Sequence, residues 1–265
     1  MNPTYEQLKT TTRQRVSDGT LQPILTPGKK QLLLLLPQLG DFDSLEYAWW
    51  LKREQDLLQD ITVTAVAIGN LPAGKQFCQY TGFPETQLYL DPKAELHQQL
   101  GLYPGLTPNL PGLNPRQNAW VGLFLMCAGI KSPGTLKEVF RGYLGDRTAP
   151  QLIAPDETVQ AAPLPAIQGK TFDRAGGSGF QRPFELATLR LRNMAESIGN
   201  WGTYVPDSTY LTQRGGTFLF DTNGELLYQH RDPGILGFSE TMNQPLTFLN
   251  TVKPTQTQSS QTLSS

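Results

Sequence analysis

The feature that most constrains this chain is the run QLLLLLP at residues 31–37, closed by Pro37 and Gly40 and followed at once by DSLEYAWWLKREQDLLQD. A short all-apolar run between chain breakers reads as a strand, although leucine alone favours helix. Leu45, Ala48, Trp49, Leu57 and Leu58 then recur near helical spacing. ITVTAVAIG (61–69) is β-branched and reads as a second strand. AGKQFCQYTG predicts a helix, TQLYLDP a short strand and AELHQQLGL a further helix. This order of strand, helix, strand, helix, strand requires a parallel sheet with right-handed crossovers, so the expected class is α/β.

Around that unit the first thirty residues read as an arm. PTYEQLKTTTRQRVSDG is predicted helical to Gly19, and TLQPILTPGKK extended, because Pro23 and Pro27 exclude a helix. A single domain is expected over 31–250, interrupted by an insertion at about 103–213. The proline- and glycine-rich YPGLTPNLPGLNPRQ (103–117) opens that insertion as a loop. Within it follow an apolar helix NAWVGLFLMCAGI (118–130), a second helix PGTLKEVFRGYLG, a loose stretch from 146 to about 179, and the long helix RPFELATLRLRNMAESIGNW with proline in its first turn. The sheet resumes in GGTFLFDTNGELLYQH, where Asn223-Gly224 signals a hairpin. SETMNQPLTFLN predicts a closing helix interrupted by Pro245, and the Ser-, Thr- and Gln-rich tail, 251–265, is expected to be disordered.

Charge and composition exclude some functions. A formal net charge of -1 gives no basic field to select nucleic acid. The start, MNPTYEQLKTTTRQRV, lacks the pattern of a signal peptide, which points to a cytoplasmic protein. Two cysteines and two histidines are too few for a structural zinc site drawn from those residues alone. The apolar run 118–130 is shorter than the ~20 residues of a bilayer crossing and contains two glycines, so no transmembrane segment is expected.

Three strings carry a resemblance: PQLGDFDSLEYAWWL, FCQYTGFPETQLYLDPKAELHQQLGL and QRGGTFLFDTNGELLYQHRDPGILGF. Together they resemble the peroxiredoxin-like branch of the AhpC/TSA family, and within it the cyanobacterial and plastid members. Those members also have counterparts of SPGTLKEVFRGYLGDRTAPQ and GFQRPFELATLRLRNM, so the resemblance covers most of residues 30–250. It implies a thioredoxin-like three-layer fold with a large, mostly helical insertion.

The resemblance also implies where chemistry would occur, namely where the first core strand meets its helix. A thiolate there is stabilised by the helix macrodipole and unpaired backbone N–H groups. Relatives that keep a Cys-x-x-Cys pair have it in this loop, and the matching positions here are Asp41 and Ser44 of DFDS. Neither residue can attack a peroxide or form a disulfide. Asp43 followed three residues later by Glu46 reads as a capping box worth about 1 kcal/mol. The thiol site implied by the resemblance is therefore degenerate, formed by Asp41, Asp43 and Ser44.

Cys78, mid-helix beside Phe77 and Tyr80, is the candidate redox residue; its bland reading is a half-buried core cysteine. Cys127, in the apolar helix, reads as core, with desolvation raising its pKa. RAGGSGFQRPF sets a glycine-rich loop before a helix, a candidate anion or partner site at Arg174, Gly177 and Arg182, against the simpler reading of a connector. Arg141, Arg147, Arg190 and Arg192 could face an acidic partner or pair locally, and His230 reads as a satisfied surface histidine. Trp49 and Trp50 cannot both face one core from adjacent helical positions, so one of them could mark a contact surface.

Two functions follow. The first is a non-peroxidase that binds an unknown protein partner or small ligand, with no cofactor and with a homodimer expected from the family. The second is an antioxidant thiol oxidoreductase or peroxidase acting through Cys78. A role peripheral to thylakoid membranes is a weaker third, drawn from the photosynthetic lineages of the resembling proteins.

Overall fold

The computed structural model describes residues 2–160 and 164–252, the last two without side chains; the predicted disorder of the tail from Lys253 lies outside these residues. At its centre is β3, Gln31–Gln38, buried along its whole length. Its leucines divide by strand alternation: Leu32, Leu34 and Leu36 join one hydrophobic cluster, Leu33 and Leu35 another. A strand covered on both faces has no polar alternation, which is why the run is unbroken leucine.

β3 pairs in parallel with β4 (Thr62–Ile68), which pairs in parallel with β5 (Leu88–Leu90). On its other side it pairs antiparallel with β8 (Gly216–Phe220), which forms a hairpin with β9 (Leu226–Arg231). The hairpin turn is closed by Asp221, whose Oδ1 accepts from the amides of Asn223 and Glu225, with Gly224 at φ +78°. The order β4-β3-β8-β9 is that of the thioredoxin core.

The N-terminal arm departs from expectation. Only α1 (Pro3–Lys9) is helical; β1 (Thr12–Arg15) and β2 (Leu21–Pro23) form a hairpin that adds to the edge of the sheet at β5. Lys9 and Thr10 end the helix, and the β-branched, polar TTRQRV that follows gains more from pairing with β5 than from another helical turn.

One face of the sheet carries α1 and α4 (Glu95–Gln99), through Tyr5, Leu8 and Leu96. The other carries α2 (Phe42–Arg53) and α3 (Leu71–Thr81), and over α2 lies the inserted helix α8 (Glu185–Gly199). α2 is thus enclosed by sheet below and α8 above, and even its polar Asp43, Ser44 and Glu46 are buried.

Between β5 and β8 the chain also forms α5 (Pro115–Cys127), α6 (Thr135–Leu144), a small hairpin of β6 (Thr158–Val159) and β7 (Ile167–Gln168), α7 (Lys170–Asp173) and α9 (Trp201–Tyr204). The loop expected to run to 117 ends earlier. Asn114 and Gln117 form a capping box with Pro115 inside it, so the helix begins at Pro115. α8 begins later than expected, because Phe184 adopts φ +65° and leaves Pro183 outside the helix. In place of a closing helix there is only a 3-10 turn at Thr247–Val252. No helix among the described residues is long and apolar enough to cross a membrane.

Candidate functional site

β3 does not run straight into α2. Pro37 lacks an N–H, and the β3–β4 register shifts between Leu36 and Gln38, a bulge that re-aims the strand end. The Asp41 amide donates to the Gln38 carbonyl at 2.8 Å, and the Ser44 hydroxyl, buried, donates to the same carbonyl at 3.0 Å. Gly40 allows the turn to press against α8 and α9. A Cβ there would stand 2.7 Å from Tyr204 Cβ, and the Ser197 hydroxyl donates to the Gly40 carbonyl at 2.7 Å.

The cap of α2 is not the one expected. Asp41 is the N-cap, its Oδ1 accepting from the Asp43 amide at 3.0 Å. Asp43 lies inside the first turn, and Glu46 reaches away from the helix start to Arg190, at 2.7 and 3.1 Å. The predicted box fails because the half-buried Arg190 competes with a backbone amide for the Glu46 carboxylate.

A fully buried arginine organises the turn itself. Arg214, in the segment entering β8 and fully buried, donates from Nη2 to Asp41 Oδ2 at 2.7 Å and from Nη1 to Asp43 Oδ2 at 3.2 Å. Its remaining donors reach the carbonyls of Thr212 and Leu211. Burial alone would lower its pKa, but the two carboxylates outweigh that and raise it, so the guanidinium stays charged. Asp43 is pushed well up, first by desolvation and then by the charge of Asp41, against the pull of Arg214. Asp232, at the end of β9, accepts from the Gly215 amide at 3.1 Å and is pushed up to about 8, chiefly by burial. Sequence reasoning missed Arg214 and Asp232. The adjacent Gln213-Arg214 before a buried strand was the available signal, since an arginine entering a core must find carboxylates there.

Asp41 also faces a cavity of about 420 Å³, walled by Trp120, Phe124, Met194, Ile198 and Trp201 from the inserted helices. Cys127 stands on that wall. The expectation of a core cysteine is corrected: Cys127, the last residue of α5, is exposed, and partial desolvation nonetheless raises its pKa. A second cavity of about 310 Å³, lined by Tyr143, Leu164, Phe184 and Leu191 among others, shares Phe42 and Met194 with the first.

Cys78 does not join this site. It is on the buried face of α3, and desolvation raises its thiol to about 12, so at neutral pH it is protonated. The glycine-rich loop is likewise occupied from within. Arg182 is buried and pairs with Asp173 and with Glu185, whose Oε1 lies 2.5 Å from Nη2, while Arg174 is exposed and Gly177 takes φ +96°. The loop therefore offers an anion no free Arg182, because two carboxylates already hold it. Arg141 and Arg190 pair with Glu138, Arg192 lies 5.1 Å over the Tyr80 ring and Arg147 5.0 Å over the Phe180 ring. His230 is half-buried and hydrogen-bonded to the Gly237 carbonyl. Trp50 is buried and Trp49 half-buried under Arg53.

A sheet in this order, with a strand–turn–helix buried at its centre, defines a thioredoxin-like protein. The chain matches the family model of the AhpC/TSA antioxidant enzymes over residues 50–234, and it belongs to that family. The matched span begins just after the Gly40–Ser44 turn. A search of the curated proteins gave no match.

Proposed function

We propose that this AhpC/TSA member is a peroxiredoxin-like binding protein that does not reduce peroxides, its thiol site having become the DFDS turn, and that it holds a small ligand in the cavity beside Asp41. The observation carrying this reading is the Asp41–Arg214 ion pair: a fixed carboxylate occupies the helix N-terminus where a thiolate would have to stand. Ser44 offers no substitute, since its buried hydroxyl is donated to the Gln38 carbonyl rather than to an activating base. The resemblance to cyanobacterial and plastid proteins supports a cytoplasmic protein of a photosynthetic-type cell, and a homodimer remains the family expectation.

Thiol chemistry is the competing reading, and the family description favours it. Cys78 suits it poorly, being protonated and enclosed. Cys127 suits it better by position, since it shares a cavity with Asp41. Steady-state turnover of hydrogen peroxide with a thiol reductant separates the two readings. No turnover above buffer is expected; turnover lost in Cys78→Ser or Cys127→Ser would overturn the proposal.

A further inference from the structure

The two cavities are more informative together than apart. Both are lined by Phe42 and Met194, so they adjoin across that pair, with Asp41 and Gln38 in the wall of one beside Phe42 and Tyr143, Leu164 and Phe184 in the wall of the other. Each falls within the ~300–1,000 Å³ of small-molecule pockets. The shape asked of a ligand is therefore long, with room for an apolar body on both sides of the Phe42–Met194 waist.

The charges on the walls define the head group. The larger cavity has one carboxylate, Asp41, already neutralised by Arg214, and the smaller has one guanidinium, Arg190, already held by Glu46 and Glu138. Arg214 itself is fully buried behind Asp41, out of reach of an anion in the cavity. A carboxylate or phosphate head would meet the Asp41 oxygens with no cation free to offset it, and an ammonium would give up its hydration for a carboxylate that Arg214 already engages. A hydroxyl needs neither: it donates to Asp41, whose carboxylate has lone pairs beyond those used by the Asp43 amide and Arg214. Around the openings stand exposed Phe124, Ile198, Phe184 and Tyr143, which give an apolar molecule an apolar entrance.

We propose that the paired cavities bind a single long-chain neutral alcohol, its hydroxyl on Asp41 and its chain running past Phe42 and Met194 into the second cavity. This rests on the binding reading above and narrows it to a ligand class.

The test is titration of the full-length protein with tetradecanol, tetradecanoate, tetradecylamine and hexanol, read by the fluorescence of Trp120 and Trp201, which line the cavity. Tetradecanol is expected to saturate at one molecule per chain. Tetradecanoate and tetradecylamine should bind at least about tenfold more weakly, and hexanol, which reaches only one cavity, at least about a hundredfold more weakly. Asp41→Asn should erase the preference for alcohol over carboxylate, and Met194→Trp, filling the waist, should weaken tetradecanol by about tenfold or more. Should either variant fail to fold, the wild-type protein still decides: tetradecanol should slow alkylation of Cys127 on the cavity wall. Equal or tighter binding of the acid or amine overturns the head group while the binding reading stands. Equal binding of hexanol overturns the two-cavity chain. No binding by any of the four, in a protein that shows no peroxide turnover, overturns the ligand class; peroxide turnover through a thiol would instead overturn the underlying reading.

Discussion

At the scale of single residues, Arg214 holds two carboxylates that would otherwise repel each other in the core. Arg214→Ala leaves Asp41 and Asp43 facing each other without a cation, and the expected loss is about 3–5 kcal/mol, measured by denaturant unfolding. A loss below about 1 kcal/mol would mean that water already reaches and screens the pair. Asp232 gives a prediction with a definite sign. Its folded pKa of about 8 lies above the unfolded value of ~3.9, so between the two the folded state keeps a proton that the unfolded state has released. Stability contributed by this group is complete below the unfolded value and falls as pH rises, by at most about 1.4 kcal/mol per unit, until pH passes the folded value. The upward shift of Asp43 acts in the same direction. Unfolding free energies measured from pH 5 to pH 9 should decline, and Asp232→Asn, which mimics the protonated carboxyl and can still accept from Gly215, should flatten that decline. An unchanged slope in the variant would assign the proton to another group.

At the scale of elements, α6 is turned inside out. Its polar Glu138 is buried beneath Arg141 and Arg190, whereas Leu136, Phe140, Tyr143 and Leu144 are exposed, Phe140 at 59% and Leu144 at 73%. The helix expected in PGTLKEVFRGYLG is therefore present, with its large apolar residues on the outer face. The reason is local: Arg190 of α8 and Glu46 of α2 already form a buried pair, and Glu138 extends that network more favourably than a phenylalanine could. Phe140→Ser should accordingly shift stability by no more than about 0.5 kcal/mol, as for other exposed positions, whereas Glu138→Ala should cost about 1–3 kcal/mol by stripping a hydrogen-bonded acceptor from two arginines. The reverse ranking in thermal or denaturant unfolding would show that α6 packs by its apolar face. The same contrast explains what was legible elsewhere. β3, β4 and the β8–β9 hairpin were readable because an unbroken apolar run between chain breakers, β-branching and Asn-Gly act within a few residues. The β1–β2 hairpin and the cap of α2 were not, because each depends on a distant partner: β5 for the hairpin, and Arg190 and Arg214 for the carboxylates.

At the scale of the whole molecule, the proposed function has this AhpC/TSA member keep the sheet, the turn and the helix while closing the turn with charge in place of sulfur. The turn itself was visible in the sequence. The cavity that the inserted helices raise beside it was not, because Trp120, Met194 and Trp201 meet Asp41 only through tertiary packing. Our central claim is that Asp41 stands where a thiolate would be stabilised. Its most direct test places sulfur back in that turn, as Asp41→Cys in a Cys78→Ser, Cys127→Ser background, and follows alkylation rate against pH together with sulfenic acid formation by hydrogen peroxide. We predict an apparent pKa at least about one unit below the ~8.5 of a free thiol, set by Arg214 and the start of α2, and sulfenic acid formed faster than at either native cysteine. A folded variant whose thiol titrates at or above ~8.5 and ignores peroxide would contradict it.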